Sequence, residues 1–399
     1  MASRKVLFIH HCGEFGGASR SLGELLISMP AGEVNPVIIS PRGTAADYFG
    51  KLGFSVFEVG GICKFDITEL GHYRGWRWLI LLRELWYLPH TIHVLWSARR
   101  AHPDISLVHI NDVQQFLLLF LIKRMFKVPV VIHIRGPLMQ RRGYRFNFLM
   151  WTLRTKVDKV IAIDETVKSS VHESVQPIVV HNGFVLKSQQ HSAGVHIPMV
   201  VGMVSNLLVF KGVLDFVEAA RLCKQRGVKI RFEVLGGKGH VDKGLLNLLL
   251  RWFGLQNEVE ADVLDRIRKY ELENTFYLLP FKEDVGLFYG SISVLCFPSH
   301  INAVGRPVFE AAFYKVPSIV AISEPKADAI VHMETGICIE ANNPEKLADS
   351  IIYLCMNDQI RRSMGEKAFS LAHQNYDVAR NARRLLDIYL SLWSISLPR

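Results

Sequence analysis

Lys211 stands where a short apolar run gives way to a loop and then to a predicted helix. The segment reads Val201-Gly-Met-Val-Ser-Asn206-Leu-Leu-Val-Phe-Lys211-Gly212. The unpaired N–H groups and the positive dipole end at the start of a helix attract anions, and a lysine ammonium adds a full charge. Together they could hold a diphosphate, although a single loop lysine is more often a solvated side chain.

A second strand–loop–helix segment has a carboxylate one turn into its predicted helix. It reads Phe297-Pro-Ser-His-Ile-Asn302-Ala-Val-Gly305-Arg306-Pro307-Val-Phe-Glu310. Pro307 suits a first helical turn, and Gly305 lets the backbone approach a ligand closely. The carboxylate of Glu310 could accept hydrogen bonds from ribose hydroxyls. Taken alone, Glu310 could equally complement the helix dipole at the surface.

A third segment of this kind, Gly13-Glu-Phe-Gly16-Gly17-Ala-Ser-Arg20, directly follows the first apolar run of the chain. Glycines allow a tight turn there, and the helix that follows presents its N–H groups to an anion. The pattern is not G-x-G-x-x-G, and many such turns are glycine-rich for packing alone. We therefore treat Gly16 and Gly17 as candidate ligand contacts.

The elements around these loops alternate between short β-rich runs and longer helical stretches, which indicates parallel sheets with right-handed crossovers. The pattern restarts after the polar segment Leu186–Gly194, so we predict two Rossmann-like domains in tandem. The predicted bounds are residues 1–186 and 195–375, followed by a C-terminal helix over 376–399 that packs back toward the first domain. Such sheets bind ligands at the carboxyl ends of their strands.

Composition narrows the class of protein. The chain has 399 residues, 49% hydrophobic and 21% charged, with a formal net charge of +10. A basic surplus favours anionic partners, but the sequence has no dense basic stripe that would indicate nucleic-acid binding. The six cysteines are widely spaced, which favours reduced thiols in the cytoplasm over a metal or redox site. We predict no secretion signal and no membrane-spanning helix.

The three loops, in this order and spacing, resemble the family-4 glycosyltransferases, the retaining group with a GT-B fold. The resemblance extends over nearly the whole chain, and each motif is only moderately specific. The matching segments are Gly16-Gly17-Ala18-Ser19-Arg20, His181-Asn182-Gly183-Phe184, Asn206 to Gly212, Pro298 through Ala321, Thr335-Gly336-Ile337 and Pro344 to Ala348.

The resemblance implies two Rossmann-like, doubly wound domains that face each other across a cleft. In this reading residues 1–186 bind the acceptor and residues 195–375 bind a nucleotide-sugar donor. The donor contacts implied are Gly16, Gly17, Asn206, Lys211, Gly305, Arg306, Pro307 and Glu310.

Two positions depart from the family pattern. The arginine of the family's G-R-L loop aligns with Asn206, and the first glutamate of its E-x₇-E motif aligns with Asn302. An asparagine can still hydrogen-bond a sugar hydroxyl, but it is not a carboxylate. Arg306, in the same loop as Asn302, is a candidate to replace the missing positive charge.

In the first domain, many relatives have a histidine after the fifth strand, near the reacting sugar. Arg135 occupies the matching position here, with His133 two residues earlier. Residues two apart in a strand point to the same side of the sheet. We therefore predict Lys211, Arg135, His133 and Asn302 as the catalytic residues.

The implied reaction transfers a hexose-type sugar with retention of configuration to a glycan or a lipid-linked glycan, in polysaccharide or glycolipid synthesis. The departing diphosphate can take the acceptor proton, so the protein supplies position and charge stabilisation. We expect no metal and no permanently bound cofactor. A UDP-sugar is the favoured donor and a GDP-sugar the alternative.

An aromatic and basic stretch in the first domain raises the prospect of a peripheral contact with an anionic membrane, and so a location at its inner face. We slightly favour core packing for these side chains, because aromatic residues pack equally well. They are Tyr73, Trp76, Trp78, Trp86, Tyr87 and Trp96.

Two other classes of function stay open. A binding protein of glycosyltransferase type, with weak or absent catalysis, would explain Asn206 and Asn302. A nucleotide-sugar epimerase or a phosphorylase could use the same fold.

Overall fold

The computed structural model describes residues 3–66, 78–139, 143–186, 199–238, 259–282 and 284–395. The chain divides into two compact units. The first comprises Met1–Val185 together with Tyr376–Arg399, and the second comprises Leu186–Asn375. The polar segment Leu186–Gly194, after Leu186 itself, lies outside the described residues, and so does the stretch 245–255, whose apolar sequence predicts a further helix.

The first unit is built on a parallel seven-stranded sheet with the order β3-β2-β1-β4-β5-β6-β7. Its strands are nearly unbroken apolar runs, as in Val-Val-Ile-His-Ile of β5, because both faces of a parallel sheet are covered. The strands are β1 Arg4–Ile9, β2 Val34–Pro41, β3 Ser55–Val59, β4 Ile105–Ile110, β5 Val130–Ile134, β6 Lys159–Ala162 and β7 Ile178–Val179.

The helices of this unit lie on both faces of the sheet. They are α1 Gly17–Ile27, α2 Thr44–Lys51, α3 Ile80–Ala101, α4 Leu119–Phe126, α5 Tyr144–Lys156 and α6 Glu165–Ser169. Strand residues of one parity, such as Leu7 and Ile9, share a core with α3, α4 and α5. Residues of the other parity, such as Val6 and Phe8, share a core with α1 and α2.

The second unit has a parallel six-stranded sheet with the order β10-β9-β8-β11-β12-β13. Its strands are β8 Met199–Val204, β9 Ile230–Lys238, β10 Phe276–Pro280, β11 Val294–Phe297, β12 Ser318–Ala321 and β13 Gly336–Ile339. Its helices are α7 Val213–Gln225, α8 Val259–Lys269, α9 Gly286–Ser291, α10 Arg306–Ala312, α11 Pro344–Met356 and α12 Asp358–Asn375. Local sequence sets these bounds: the Asn343 side chain caps α11, and Pro344 occupies its first turn.

The last helix, α13 Val378–Ile395, belongs to the first unit although it follows the second in the chain. Its buried residues Leu385, Tyr389 and Trp393 complete the core formed by α1, α2 and one face of the sheet. The first unit is therefore assembled from both ends of the sequence.

Candidate functional site

Two loops at the carboxyl ends of neighbouring strands β8 and β11 are bonded to each other. The backbone N–H of His300 donates to the carbonyl of Phe210 at 2.8 Å, and the Ser299 hydroxyl donates to the same oxygen at 3.3 Å. The ring Nε2 of His300 lies 2.8 Å from Oδ2 of Asp215, in the first turn of α7. These hydrogen bonds hold the segments around Lys211 and Asn302 next to each other.

Gly212 makes the close approach of these loops possible. It adopts a φ of +76°, and a Cβ at this position would lie 1.9 Å from the carbonyl oxygen of Pro298. No side chain fits there, and L-residues avoid this backbone region. Because Gly212 immediately precedes α7, the helix begins directly against the second loop.

Lys211 is mostly buried beside two aromatic rings. Its Nζ lies 5.4 Å from the ring centroid of Phe210 and 5.9 Å from that of Phe297. Among the residues that the structure describes, its ammonium forms no ion pair. Burial lowers the pKa of the lysine, because desolvation disfavours the charged form. A desolvated cation that contacts only ring faces favours the binding of an anion.

Gly305 lies on the same aromatic ring. A Cβ at Gly305 would lie 2.4 Å from the Phe297 ring, so glycine allows the loop to close over this side chain. Phe297 therefore contacts Lys211 on one side and Gly305 on the other. The structure brings these two predicted residues together through a shared neighbour.

Glu310 is buried and occupied on both carboxylate oxygens. Its Oε1 accepts from Nε of Arg306 at 2.8 Å, and its Oε2 accepts from the hydroxyl of Tyr289 at 2.8 Å. Pro307 lies in the first turn of α10, as its sequence position predicts. Arg306 and Glu310 thus form an ion pair within this unit.

The two asparagines that depart from the family pattern differ in environment. Oδ1 of Asn302 accepts from the backbone N–H of Ser323 at 3.0 Å and from its hydroxyl at 3.2 Å, which ties the loop to the end of β12. Asn206 is exposed, and its backbone carbonyl accepts from the N–H of Leu208 at 2.9 Å.

In the first unit, Gly16 and Gly17 form the exposed start of α1. The N–H of Gly16 donates to the Ser19 hydroxyl at 2.9 Å, and this hydroxyl donates to the Gly16 carbonyl at 3.1 Å. A Cβ at Gly16 would meet no atom within 4 Å, so the space beside it is open.

Arg135 follows β5 and is held by two amide side chains. Its Nε and Nη2 donate to Oδ1 of Asn111 at 3.2 and 2.5 Å, and its Nη1 donates to Oδ1 of Asn182 at 2.7 Å. Asn111 directly follows β4, the neighbour of β5. These two amide oxygens orient the guanidinium without neutralising it.

These hydrogen bonds determine which ring nitrogen of the buried His10 is protonated. Because Oδ1 of Asn111 accepts from Arg135, its Nδ2 must donate to the nitrogen 2.9 Å away, which is Nδ1 of His10. Burial, with the nearby His11 and Arg135, lowers the pKa of His10 well below its usual value. His10 is therefore neutral and carries its proton on Nε2.

His133 lies deeper on the same face of the sheet as Arg135. It is fully buried, with its ring 5.5 Å from that of His109. Burial is the main cause that lowers its pKa, followed by the charge of Arg135. Nδ1 of His109 lies 2.6 Å from the hydroxyl of Tyr389, so α13 reaches this row of histidines.

Sequence reasoning missed several of these residues. Asn111, His10 and Tyr289 were not among the predicted site residues, and Asn182 was noted only as part of a turn. Asn111 and His10 could have been found, since both directly follow strands at the edge where ligands bind. Tyr289 carries no such signal, because its bond to Glu310 depends on tertiary packing.

Family models match most of the chain. Residues 15–187 match the model described as Glycosyltransferase Family 4, and residues 188–370 match the model described as Glycosyl transferases group 1. These ranges include Gly16 and Gly17 of the first candidate loop and the whole of the other two.

Curated relatives match shorter stretches. The capsular polysaccharide biosynthesis glycosyltransferase CapM of Staphylococcus aureus is 22% identical over 166 residues, 42% of this chain and 39% of CapM. An uncharacterized glycosyltransferase of Methanocaldococcus jannaschii is 22% identical over 256 residues, 63% of this chain and 66% of the relative. The chain thus matches less than two thirds of the length of these relatives.

Solved structures match over nearly the full chain. Anabaena HepE, in complex with UDP and glucose, gives a TM-score of 0.73 at 16% identity, covering 97% of this chain and 100% of HepE. Sucrose-phosphate synthase from Thermosynechococcus elongatus gives 0.71 at 14% identity, covering 98% and 100%. This shared architecture shows the GT-B fold. The two family models together show that the chain belongs to the family-4 glycosyltransferases.

Proposed function

We propose that this protein transfers a hexose-type sugar from a nucleotide-sugar to a glycan or lipid-linked glycan, with retention of configuration and without a metal ion. The donor proposed is a UDP-sugar, with a GDP-sugar as the alternative. The setting proposed is polysaccharide or glycolipid synthesis in the cytoplasm, at the inner face of a membrane.

The environment of Lys211 carries the proposal. A mostly buried ammonium that lies beside two aromatic rings, and that has no ion-pair partner among the described residues, has little compensation for its lost hydration. A diphosphate would supply that compensation, and the start of the 13-residue helix α7 offers N–H groups beside it. We therefore infer that the Lys211 ammonium stabilises the negative charge that develops on the departing nucleoside diphosphate.

The remaining donor contacts follow from the same loops. Each carboxylate oxygen has a further lone pair, so Glu310 can accept from ribose hydroxyls while it keeps its bonds to Arg306 and Tyr289. Gly305 and Pro307 bring backbone close to the nucleotide. Asn302 and Asn206 provide amide groups for the sugar and the diphosphate. HepE was solved with UDP and glucose, which supports a UDP-sugar here.

In the first unit, Gly16 lies beside open space and Gly17 is the first residue of α1, where an anionic group can approach backbone N–H groups. Arg135 supplies a positive charge oriented by Asn111 and Asn182. His133 lies two residues before Arg135, deeper on the same face of the sheet. We assign this unit to the acceptor.

The reaction proceeds on one face of the donor sugar. The bond from the anomeric carbon to the diphosphate oxygen breaks, and the acceptor hydroxyl oxygen bonds to that carbon from the side the diphosphate leaves. The hydroxyl proton passes to the departing diphosphate oxygen, so no strong protein base is needed. Position and charge stabilisation account for the acceleration.

The first test is calorimetric binding of UDP, GDP and their sugars, with Lys211→Ala as the test variant. We expect one nucleotide to bind, and the variant to lose about 2 kcal/mol or more of binding free energy, as when one partner of a buried charge pair is truncated. Lys269→Ala is the matched control, because that exposed lysine also lies over a ring, 6.0 Å from Tyr270. Equal binding by both variants would remove Lys211 from the donor site.

The second test follows the product. Proton NMR of the newly formed linkage should give the same anomeric configuration as the donor, with equal rates in the presence of a chelator. Nucleotide binding without transfer to any acceptor would favour a binding protein instead. Interconversion of the donor sugar without an acceptor would favour an epimerase.

A further inference from the structure

The outer face of α3 is apolar where a surface helix is normally polar. The exposed side chains Leu82, Leu85, Pro89, Ile92 and Trp96 recur at steps of three and four residues and so form one stripe along the helix, with the exposed Trp86 beside it. Trp86 is 71% exposed and Leu85 is 62% exposed. The opposite face, with Thr91 and Leu95, is the one that packs against the sheet.

Core packing is therefore the wrong expectation for the tryptophans of this helix. Trp96 is 50% exposed and Trp78, just before the helix, is 42% exposed. Tyr87 is half-buried, whereas Tyr73 and Trp76 lie outside the described residues. The exposed set continues along most of α3, whose 22 residues extend about 33 Å.

A second aromatic cluster extends the surface onto α4 and α5. Phe120, Phe148 and Trp151 are stacked, with ring centroids 5.8 to 6.2 Å apart, and all three are exposed. The guanidinium of Arg145, at the start of α5, lies 4.4 Å from the Trp78 ring and links the cluster to the stripe on α3. The three helices thus present one continuous face.

The charge on this face is almost entirely positive. Helices α3, α4 and α5 contain eight arginine and lysine residues and a single carboxylate, that of Glu84. Glu84 is buried and paired with Arg83 at 2.6 Å. Helices α1, α2 and α13 on the other side of the sheet carry five basic and three acidic residues. The excess of positive charge is specific to the face with exposed aromatic residues.

We infer that the outer face of α3, α4 and α5 docks this unit on an anionic lipid bilayer. Tryptophan and leucine would enter the boundary between head groups and acyl chains, and the basic side chains would contact lipid phosphates. Arg100, 5.3 Å from the Trp96 ring, can extend from the aromatic layer to the phosphates. No helix in the described part of the chain is long and apolar enough to span a membrane.

This docking rests on the proposed function, since a lipid-linked acceptor lies at the membrane surface. Lipid is the occupant because the single carboxylate within α3, α4 and α5, that of Glu84, is buried, and the exposed carboxylate of Asp158 after α5 is already paired with Lys123. Neither is available to a protein partner that presents basic groups. A second copy of this chain would place two such basic faces against each other, which like charges oppose.

Vesicle flotation with the full chain tests the inference. We expect the protein to float with vesicles of phosphatidylcholine and 30% phosphatidylglycerol, and to stay in solution with phosphatidylcholine alone. The double variant Trp86→Ser/Trp96→Ser should reduce the floated fraction about tenfold, because two interfacial anchors are removed. Leu287→Ser is its control, since Leu287 is 69% exposed on α9 of the second unit.

A double charge reversal on α3 tests the electrostatic contribution to vesicle binding. Arg99→Glu/Arg100→Glu should abolish flotation, and raising the salt concentration should weaken flotation of the unaltered protein. Arg383→Glu/Arg384→Glu, exposed on α13 of the opposite layer, is the matched control and should float normally.

Flotation unaffected by Trp86→Ser/Trp96→Ser, or absent from anionic vesicles altogether, would overturn the inference. A concentration-dependent dimer that this variant abolishes would assign the face to a second copy instead. Nucleotide binding by the same variants, measured by calorimetry, should be unchanged. A loss of flotation with intact binding therefore separates this inference from the proposed donor site.

Discussion

At the scale of single residues, the electrostatics of the candidate site depend on which partner each positively charged side chain has. Arg306 and Arg135 are both arginines at the ends of strands or starts of helices, yet their partners differ. Arg306 is paired with the buried carboxylate of Glu310, whereas Arg135 is oriented by the amides of Asn111 and Asn182. Lys211 lies beside two aromatic rings and pairs with no carboxylate among the described residues. We therefore expect Lys211 to contribute more electrostatic stabilisation than Arg306.

Gly212 allows a prediction at this scale. Gly212→Ala combines a positive φ with a clash against Pro298, so we expect it to lower the free energy of unfolding by more than about 1 kcal/mol. Gly227→Ala is the control, because Gly227 has a φ of +74° but no atom within 4 Å of a Cβ. Urea unfolding followed by circular dichroism should give a larger loss for Gly212→Ala. Equal losses would mean that the close approach to Pro298 costs nothing.

At the scale of elements, strands β1, β4 and β5 place a row of histidines below Arg135. Burial lowers the pKa of His109 to about 3, and it lowers those of His10 and His133 well below the usual value of 6.5. These rings stay neutral in the folded protein at mildly acidic pH. In the unfolded chain they take up protons near pH 6.5.

Stability should therefore fall as pH decreases below about 6.5, because the unfolded state then binds more protons than the folded state. Each histidine contributes up to about 1.4 kcal/mol per pH unit in this window. His133→Gln removes one such group and should reduce the slope by that amount, as measured by urea unfolding between pH 7 and 5. A slope equal to that of the unaltered protein would contradict the assignment.

Sequence reasoning located the strands and the three loops because their signals are local. A parallel strand covered on both faces is a continuous apolar run, and the glycines and Pro307 mark the loop and helix start directly. The orientation of α3 was not available in this way. Its residues are apolar on both faces, so periodicity does not tell which stripe faces the sheet, and only the packing of Thr91 and Leu95 settles it. The bond between Tyr289 and Glu310, 21 residues apart, likewise depends on tertiary structure.

At the scale of the whole molecule, the chain leaves the first unit, builds the second, and returns. Helix α13 supplies part of the core that covers one face of the first sheet, and its Tyr389 contacts His109 within that sheet. The stability of the first unit should consequently depend on residues at the far end of the sequence.

Leu385→Ala tests this dependence. Leu385 is fully buried in that core, so its truncation should lower the free energy of unfolding by about 2 to 5 kcal/mol. Leu390→Ala, five residues later and largely exposed, should change it by less than about 0.5 kcal/mol. Thermal unfolding of the two variants compares them directly. A similar, small effect of both would mean that α13 adds little to the first unit.

The return of α13 also has a consequence during synthesis on the ribosome. The apolar face that α13 covers is made within the first 185 residues, but its cover is translated only after the 190 residues of the second unit. At roughly 5 to 20 residues per second, that interval lasts on the order of 10 to 40 s. A nascent chain in which part of this sheet face stays uncovered for this long is a natural client for chaperones, and the second unit can fold before the first is complete.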